Sequence, residues 1–319
     1  MSGSRCQTIL LTGATGFIGR HLLDRLRRLP STRLILLTRN PPSDRREGET
    51  WVTVGLDRLT SKTWQDEGVE KIDFVFHFGA FTPKTSSSGD MLDDIYQSNL
   101  LGTRALLESL RDIAQKIIFA STLDVYAQPP DGHVLTERSP LSPPTLYGAS
   151  KLFCEHLVQA FARQHGCGYA ILRYGHIYGP GEEAYSKLIP VAIQAFLRNE
   201  SPIVYGDGSV LRDFLYVEDV VEATLRAATA GIEKIEPVNI VSGSSMRIRE
   251  IVEILAKLCE YTGQITYLLD KPVGRSLRFC SNRMVELLGS WEMVPLLEGL
   301  RHEVVYFKGL HDRQGRVER

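Results

Sequence analysis

Residues 8–19 read TILLTGATGFIG. Thr8 to Leu11 form a short apolar run of strand character, and the glycine spacing GxxGxxG follows at once. An amphipathic helical pattern then covers 17–29. Glycine allows a tight turn and a close backbone approach, while a helix N-terminus offers N–H donors and the positive end of its dipole. A glycine cluster alone is often a plain turn. Set between a strand and a helix, it reads as a cradle for a dinucleotide pyrophosphate made by Gly13, Thr15, Gly16, Phe17, Ile18 and Gly19.

Outward from this stretch, strand-like runs recur at 34–38, 51–54, 74–78, 117–120 and 169–173. Helical patterns cover 94–111 and 147–165, and Gly166 is placed to cap the second. Such alternation implies an α/β fold: a doubly wound parallel sheet with helices on both faces and right-handed crossovers. After about residue 175 the texture changes, with Gly and Pro clustered in GHIYGPGEE. Helices are expected at 187–198, 217–230, 249–260 and 282–288, with a strand and turn in IVYGDGS. Residues 1–175 read as a Rossmann-type dinucleotide-binding domain. Residues 176–319 read as mainly a smaller, discontinuous α+β substrate lobe, with residues near 210–241 rejoining the first domain. The lobe should face the carboxyl edge of the sheet, where open α/β sheets bind ligands. The polar tail GLHDRQGRVER is expected to fray.

The 319 residues are 43% hydrophobic, enough for a large core. A net charge of −1 supplies no field for nucleic acid or an anionic membrane. No apolar run reaches bilayer-spanning length, and the N-terminus lacks a secretory pattern. Cys6, Cys154, Cys167, Cys259 and Cys280 form no CxxC pair, and the eight histidines have no metal-ligand spacing. No metal is expected, and a reducing cytoplasm is the default location.

The second strand ends LILLTRN. An acid there would hold the adenosine ribose hydroxyls of NAD. Thr38 occupies that place and Arg39 follows. The missing carboxylate removes repulsion against a 2′-phosphate, with which the guanidinium can pair. NADP(H) is favoured and NAD(H) stays open; a solvated surface side chain is the plainer reading of Arg39. Asp57, after the third strand, is placed to meet the adenine amine.

At mid-chain YGASK sets Tyr147 and Lys151 one helical turn apart. A phenol titrates at about 10 in water, so it is a poor base near neutrality. An adjacent ammonium stabilises its phenolate. KIIFASTLDVY adds the hydroxyls of Ser121 and Thr122 at the C-terminal end of a strand. Phenol, ammonium and hydroxyl together suit hydride transfer at a sugar or alcohol carbon.

With DFVFHFGA (73–80), SNLLGT (98–103), LRYGHIYGP (172–180) and YGDGSVLRDFLYVEDVV (205–221), the chain resembles an extended short-chain dehydrogenase/reductase. The resemblance is to the NAD(P)-dependent nucleotide-sugar epimerase/dehydratase family, over roughly residues 8–308. It implies that Phe78, Gly79 and Ala80 line the cofactor and that Asn99 supports that loop and pocket. It makes Thr122 the partner of the sugar's C4 oxygen, Tyr147 the acid/base and Lys151 the holder of the nicotinamide ribose. Tyr174 would flank the nicotinamide, Tyr205 would pack on the nucleotide base, and Arg212 would meet the diphosphate. Arg275 is a looser match to a second phosphate-binding residue. Thr82, Ser121, Asp124 and His176 fall in the substrate pocket. Core packing remains the alternative for Tyr174 and Tyr205, and a surface salt bridge for Arg212. Relatives often pair as homodimers through two helices, for which Leu106, Leu110, Phe153 and Leu157 offer apolar positions; the same residues could instead face the sheet.

Two departures bear on the reaction. Family 4,6-dehydratases carry Asp-Glu after the catalytic Thr, and here the pair is Leu123-Asp124. Leu123 cannot donate a proton and Asp124 is one methylene shorter, so dehydration is disfavoured. A 4-ketoreductase of nucleotide-diphosphate 4-keto-6-deoxy sugars using NADPH is favoured by Thr38-Arg39, with an NAD-dependent 4-epimerase as runner-up. A non-catalytic dinucleotide sensor has no need of Tyr147, Lys151 and Thr122 together. His176 stands where relatives often have Asn: it binds phosphate as imidazolium, alters which sugar fits, or is a satisfied pocket residue.

Overall fold

In the computed structural model, which describes residues 6–43, 45–84, 91–271 and 273–317, the opening stretch supplies an inner strand of the main sheet. That strand, β1 (Gln7–Thr12), is joined by β2 (Thr32–Thr38), β3 (Glu49–Thr53), β4 (Phe74–His77) and β5 (Lys116–Thr122). β6 (Gly168–Tyr174) and β7 (Lys234–Ile240) complete it. All neighbours pair in parallel, in the order β7-β6-β5-β4-β1-β2-β3. The chain grows one way from β1 to β3, then crosses back to β4. A Rossmann-type sheet opens its ligand crevice at this reversal, outside the carboxyl ends of β1 and β4.

Successive strand residues are buried, as two covered faces require. Leu11, Leu36 and Ile118 join Leu22 and Leu26 of helix Phe17–Leu26 and Val220 and Ala223 of helix Val217–Thr229 in one core. Their neighbours Leu10, Ile35 and Ile117 point the other way, into a second core with Leu106, Leu110, Val158 and Ala162. Lys116 is an exception inside β5. Its ammonium donates to the carbonyls of Ala227, Ala228 and Ile232 at 2.7, 3.1 and 2.9 Å, satisfying the end of helix Val217–Thr229.

Most expected elements appear within a few residues. Helix Leu146–His165 ends at Gly166 in the left-handed conformation (φ 66°, ψ 24°), as a C-cap glycine should. The 94–111 pattern is interrupted: Leu92–Ile95 and Gly102–Ser109 are α-helical, and a π-helical stretch, Tyr96–Leu101, lies between them. A short helix, Ser61–Asp66, was not expected; it buries Trp64, whose Nε1 donates to Ser109 Oγ at 2.9 Å. Beyond β6, strands His176–Tyr178, Leu211–Tyr216 and Ser245–Arg247 form a small sheet, and Ile203–Tyr205 pairs with Thr266–Leu268.

Two expectations are corrected. The tail does not fray where described: helix Leu296–Val317 runs through it. Leu300, Val304 and Phe307, spaced for one helix face, anchor that helix in the first core. Leu106 and Leu110 are fully buried beneath the sheet and offer nothing to a partner subunit. No helix among the described residues is long and apolar enough to cross a membrane, and these residues hold no His/Cys/Asp/Glu group fit for a metal.

Candidate active site

The turn after β1 is built around backbone contact. Gly13 has φ +76°, and a Cβ there would stand 2.8 Å from the Phe78 carbonyl carbon and the Gly79 nitrogen. A Cβ on Gly19 would stand 2.0 Å from the Gly13 oxygen. Gly16, the N-cap of helix Phe17–Leu26, would meet only the Gly13 oxygen, at 3.2 Å. Glycine therefore closes the β1, β4 and helix junction and leaves its open side to a cavity of about 980 Å³. The loop after β4 is tied down as well. Gly79 N donates to Thr12 Oγ1 at 2.9 Å, and His77 bridges Thr12 and Thr103 at 2.8 and 2.9 Å. Burial pushes the His77 ring down to about 3, so it is a neutral strut.

Every residue predicted for the site borders this cavity except Asn99, Tyr205 and Arg275. At one end, Thr38 Oγ1 lies 3.5 Å from Thr15 Oγ1 and accepts from Asn40 N at 3.3 Å. Arg39 is exposed and forms no ion pair among the described residues. Asp57 follows Gly55, whose missing Cβ would stand 2.6 Å from the Asp57 carboxylate. A glycine loop, a helix N-terminus and a polar far end fit an elongated dinucleotide. Gly13, Gly16, Ile18, Phe78 and Lys151 are the residues that would hold it.

The opposite end holds Tyr147, Lys151 and Thr122. Thr145 caps helix Leu146–His165 by accepting from Gly148 N at 3.0 Å, which sets the helix's first turn against the end of β5. Lys151 donates to the Ala120 carbonyl at 2.8 Å and sits 4.9 Å from the Phe119 ring centroid. Burial pulls its pKa down to about 8, opposed by Cys154 and Glu155. Burial raises the Tyr147 phenol well above its ordinary range; a hydrogen bond with Thr82 opposes this, and the charges of Asp124 and Tyr185 add to it. Thr122 Oγ1 accepts from Asp124 N at 3.2 Å, and burial raises the Asp124 carboxyl. Tyr174 stacks on Phe78 at 5.7 Å and 26°, with its hydroxyl 2.7 Å from Thr224 Oγ1. His176 is pushed down to about 4, first by burial and then by the charges of Arg212 and Lys187. It is therefore neutral near pH 7, and its buried Nδ1 has no hydrogen-bond partner.

The model of the NAD dependent epimerase/dehydratase family matches residues 9–241. A curated relative from Methanocaldococcus jannaschii, named "Putative UDP-glucose 4-epimerase", is 32% identical over 308 residues, covering 94% of this chain and 98% of its own. The chain belongs to the NAD-dependent epimerase/dehydratase family. Among solved members, UDP-glucuronic acid 4-epimerase from Bacillus cereus, in complex with UDP-glucuronic acid and NAD, is similar at TM-score 0.84 and 26% identity. That match covers 95% of this chain and 100% of the other. UDP-glucose 4-epimerase from Thermotoga maritima, with UDP-glucose, is similar at TM-score 0.83 and 27% identity, over 96% and 100% of the two chains. The extended short-chain dehydrogenase/reductase assignment and the Rossmann-type fold therefore hold.

Against this family frame, four predicted site residues sit differently. Asn99 is buried below the cavity. Its Oδ1 accepts from Phe81 N at 2.7 Å, and its Nδ2 donates to Phe81 O and Ser150 Oγ, both at 3.1 Å. It supports the loop without lining the cavity. Ser121 borders the cavity, but its hydroxyl donates to Glu155, behind it. Tyr205 is 61% exposed, because strand alternation turns Val204 inward and Tyr205 out. Arg275 donates to the Pro129 carbonyl at 2.9 Å and lies outside the cavity. Its own carbonyl accepts from Arg212 at 2.8 Å, so it steadies the arginine that does face the cavity. Sequence reading missed Glu155, Arg173 and Lys187. Glu155 carried a signal, as the next residue at helical spacing after Tyr147 and Lys151. Lys187 borders the cavity, bound to Glu182 and the Ile177 carbonyl, both at 3.1 Å, and nothing local marks it.

Proposed function

We propose that this family member carries out redox chemistry at C4 of a nucleotide-diphosphate sugar, with 4-epimerisation on NAD as the net reaction. The observation that carries the reading is the convergence of Tyr147, Lys151 and Thr122 at one end of a cavity whose other end is the glycine loop. The nicotinamide, when bound, supplies the capacity to take a hydride and return it. Tyr147 removes the proton of the C4 hydroxyl and gives it back. Lys151, as ammonium, stabilises the phenolate that forms in between. Thr122 hydrogen-bonds the same oxygen, so charge developing there meets two donors. Leu123 offers no acid for dehydration. Solved neighbours hold UDP-sugars and NAD, which makes UDP the first nucleotide to test. The purified protein, given a UDP-hexose and NAD, should yield the C4 epimer by proton NMR with no net NADH; absence of epimer across a UDP-, dTDP-, GDP- and CDP-sugar panel rejects it.

A second reading, reduction of a 4-keto sugar by NADPH, is favoured by Thr38 and Arg39. No acid stands at Thr38, and the Arg39 guanidinium, with no ion pair among the described residues, borders that end of the cavity. Sequence alone ranked this first; the kinship with 4-epimerases reverses the order. Net NADPH oxidation on a 4-keto-6-deoxy sugar is its signature.

Residues 1–175 then act as the dinucleotide-binding domain, rejoined near 210–241, and 176–319 mainly as the sugar lobe. A homodimer fits the exposed apolar side chains of Leu146 and Phe153 on helix Leu146–His165, beside Leu92 and Tyr96 on the neighbouring segment. Five free cysteines fit a reducing compartment such as the cytoplasm.

A further inference from the structure

A buried ion pair lies directly behind the catalytic end of the cavity. Arg173 Nε and Nη2 meet the two Glu155 oxygens at 2.9 and 2.7 Å, and both side chains are almost wholly excluded from solvent. The Ser121 hydroxyl donates to the same carboxylate. On the far side, Arg173 Nη1 donates to the Tyr126 hydroxyl at 2.9 Å, which donates to Asn239 Oδ1 at 2.6 Å. The pair is thus oriented, with its carboxylate toward Ser121 and helix Leu146–His165 and its guanidinium toward Tyr126. Burying such charges is costly, and apolar side chains of similar volume often pack as well. Packing alone gives no reason for it.

The position of Glu155 gives one. Tyr147, Lys151 and Glu155 follow at successive helical turns along one face. Lys151 has no ion pair among the described residues; its contacts are the Ala120 carbonyl and the Phe119 ring. Among the described residues the other titratable groups around it carry no compensating charge. His77 on β4 is neutral, and the phenol of Tyr147, on the same helix, holds its proton. Cys154, on the same helix, donates to the Asn99 carbonyl at 3.3 Å and is kept a thiol by burial. Glu155 is the carboxylate that opposes the desolvation of Lys151.

We propose that Glu155 is a positioning residue: held by Ser121 and Arg173, its carboxylate keeps Lys151 an ammonium and ties the Thr122 strand end to the helix that bears Tyr147. It rests on Tyr147 and Lys151 being the proton-handling pair. Ser121 acts here through Glu155, as the link from β5 to the carboxylate.

The test uses the full chain with carbon-13 at the lysine ε-carbons, the Lys151 signal being assigned with Lys151→Arg. In Glu155→Gln the Lys151 titration midpoint should fall by about one pH unit. The alkaline limb of kcat/KM should move with it, kcat should fall, and KM for the sugar should hold. Glu155→Asp, which keeps the charge, should restore the midpoint. A Glu155→Gln protein that loses activity while its Lys151 midpoint stays put overturns the proposal, because a purely structural role predicts that outcome. If Glu155→Gln fails to fold, Glu155→Gln/Arg173→Met removes both charges. Loss of the guanidinium raises the Lys151 midpoint, so a smaller net downward shift is required of the double variant, and a midpoint at or above the wild-type value overturns the proposal. The NMR midpoint needs no turnover. A wild-type protein inactive on every sugar would therefore reject the functional reading and leave this test standing.

Discussion

Gly148 meets Asp124 across a gap that admits no side chain: a Cβ on Gly148 would stand 2.3 Å from the Asp124 carbonyl oxygen. The first turn of helix Leu146–His165 thereby rests on the backbone that follows Thr122. Hydroxyl, phenol and ammonium come from two segments, and this contact sets their spacing. Gly148→Ala should force the segments apart, costing about 1–3 kcal/mol of stability and slowing turnover by misplacing Thr122 against Tyr147. Urea unfolding measures the first effect, and a fall in kcat with little change in KM measures the second.

Tyr147→Phe removes the hydroxyl proposed to carry the proton, and little volume. Turnover should fall by about 10²–10⁴-fold, the range for a positioned acid/base group. Sugar affinity, read by calorimetry, should stay near wild type. Retained turnover would reject the assignment of the phenol.

The pH dependence follows from Lys151. Its pKa, pulled to about 8 by burial, leaves the ammonium present below that pH and lost as pH rises through it. Because kcat/KM reports the free enzyme, it should decline on the alkaline side with a midpoint near this value. His176, already neutral down to about 4, should contribute no step between pH 5 and 8.

Arg39 borders the cavity with no ion pair among the described residues, so if it reads a 2′-phosphate its replacement should act on NADP alone. Arg39→Ala should weaken NADP binding by about 1.5–3 kcal/mol, as for loss of a charged hydrogen bond. NAD binding, measured by the same fluorescence titration, should be unchanged. Equal effects on both would make Arg39 a solvated side chain.

Phe153 is 54% exposed on helix Leu146–His165, whereas Leu106 and Leu110 are sealed. If the proposed homodimer forms, Phe153→Ser should shift it toward monomer in sedimentation while leaving the unfolding midpoint of the monomer nearly unchanged; a wild-type protein that sediments as a monomer rejects the dimer. Leu106→Ala should instead cost about 2–5 kcal/mol as a core cavity.

The sheet was legible because its information is local. TILLTGATGFIG states strand, turn and helix within twelve residues, and the later strands repeat the apolar run. Tyr147, Lys151 and Thr122 border one cavity for the same local reason: Thr122 ends β5, and Tyr147 and Lys151 lie in the first two turns of their helix. Tyr205 shows what the sequence left out: in Ile203–Tyr205 alternation turns Val204 inward and leaves Tyr205 exposed beside Leu268 of a strand more than sixty residues later. Ser121 and Thr122 look interchangeable in sequence. Alternation along β5 sends one hydroxyl to Glu155 and leaves the other beside the cavity. The tail was read by its polarity, while its helix is held by three apolar residues upstream of it.

The π-helical stretch Tyr96–Leu101 takes up one residue more than the α-helical turn it replaces. The wider turn absorbs that residue where it occurs, so Leu106 and Leu107 keep their places under the sheet while Asn99 holds Phe81. Deleting one residue there should let the backbone relax to ordinary α-helix with the flanking helices still in register. The cost would fall on the Asn99 grip alone. A related chain one residue shorter at this point would then keep the core and hold its loop after β4 by some other means.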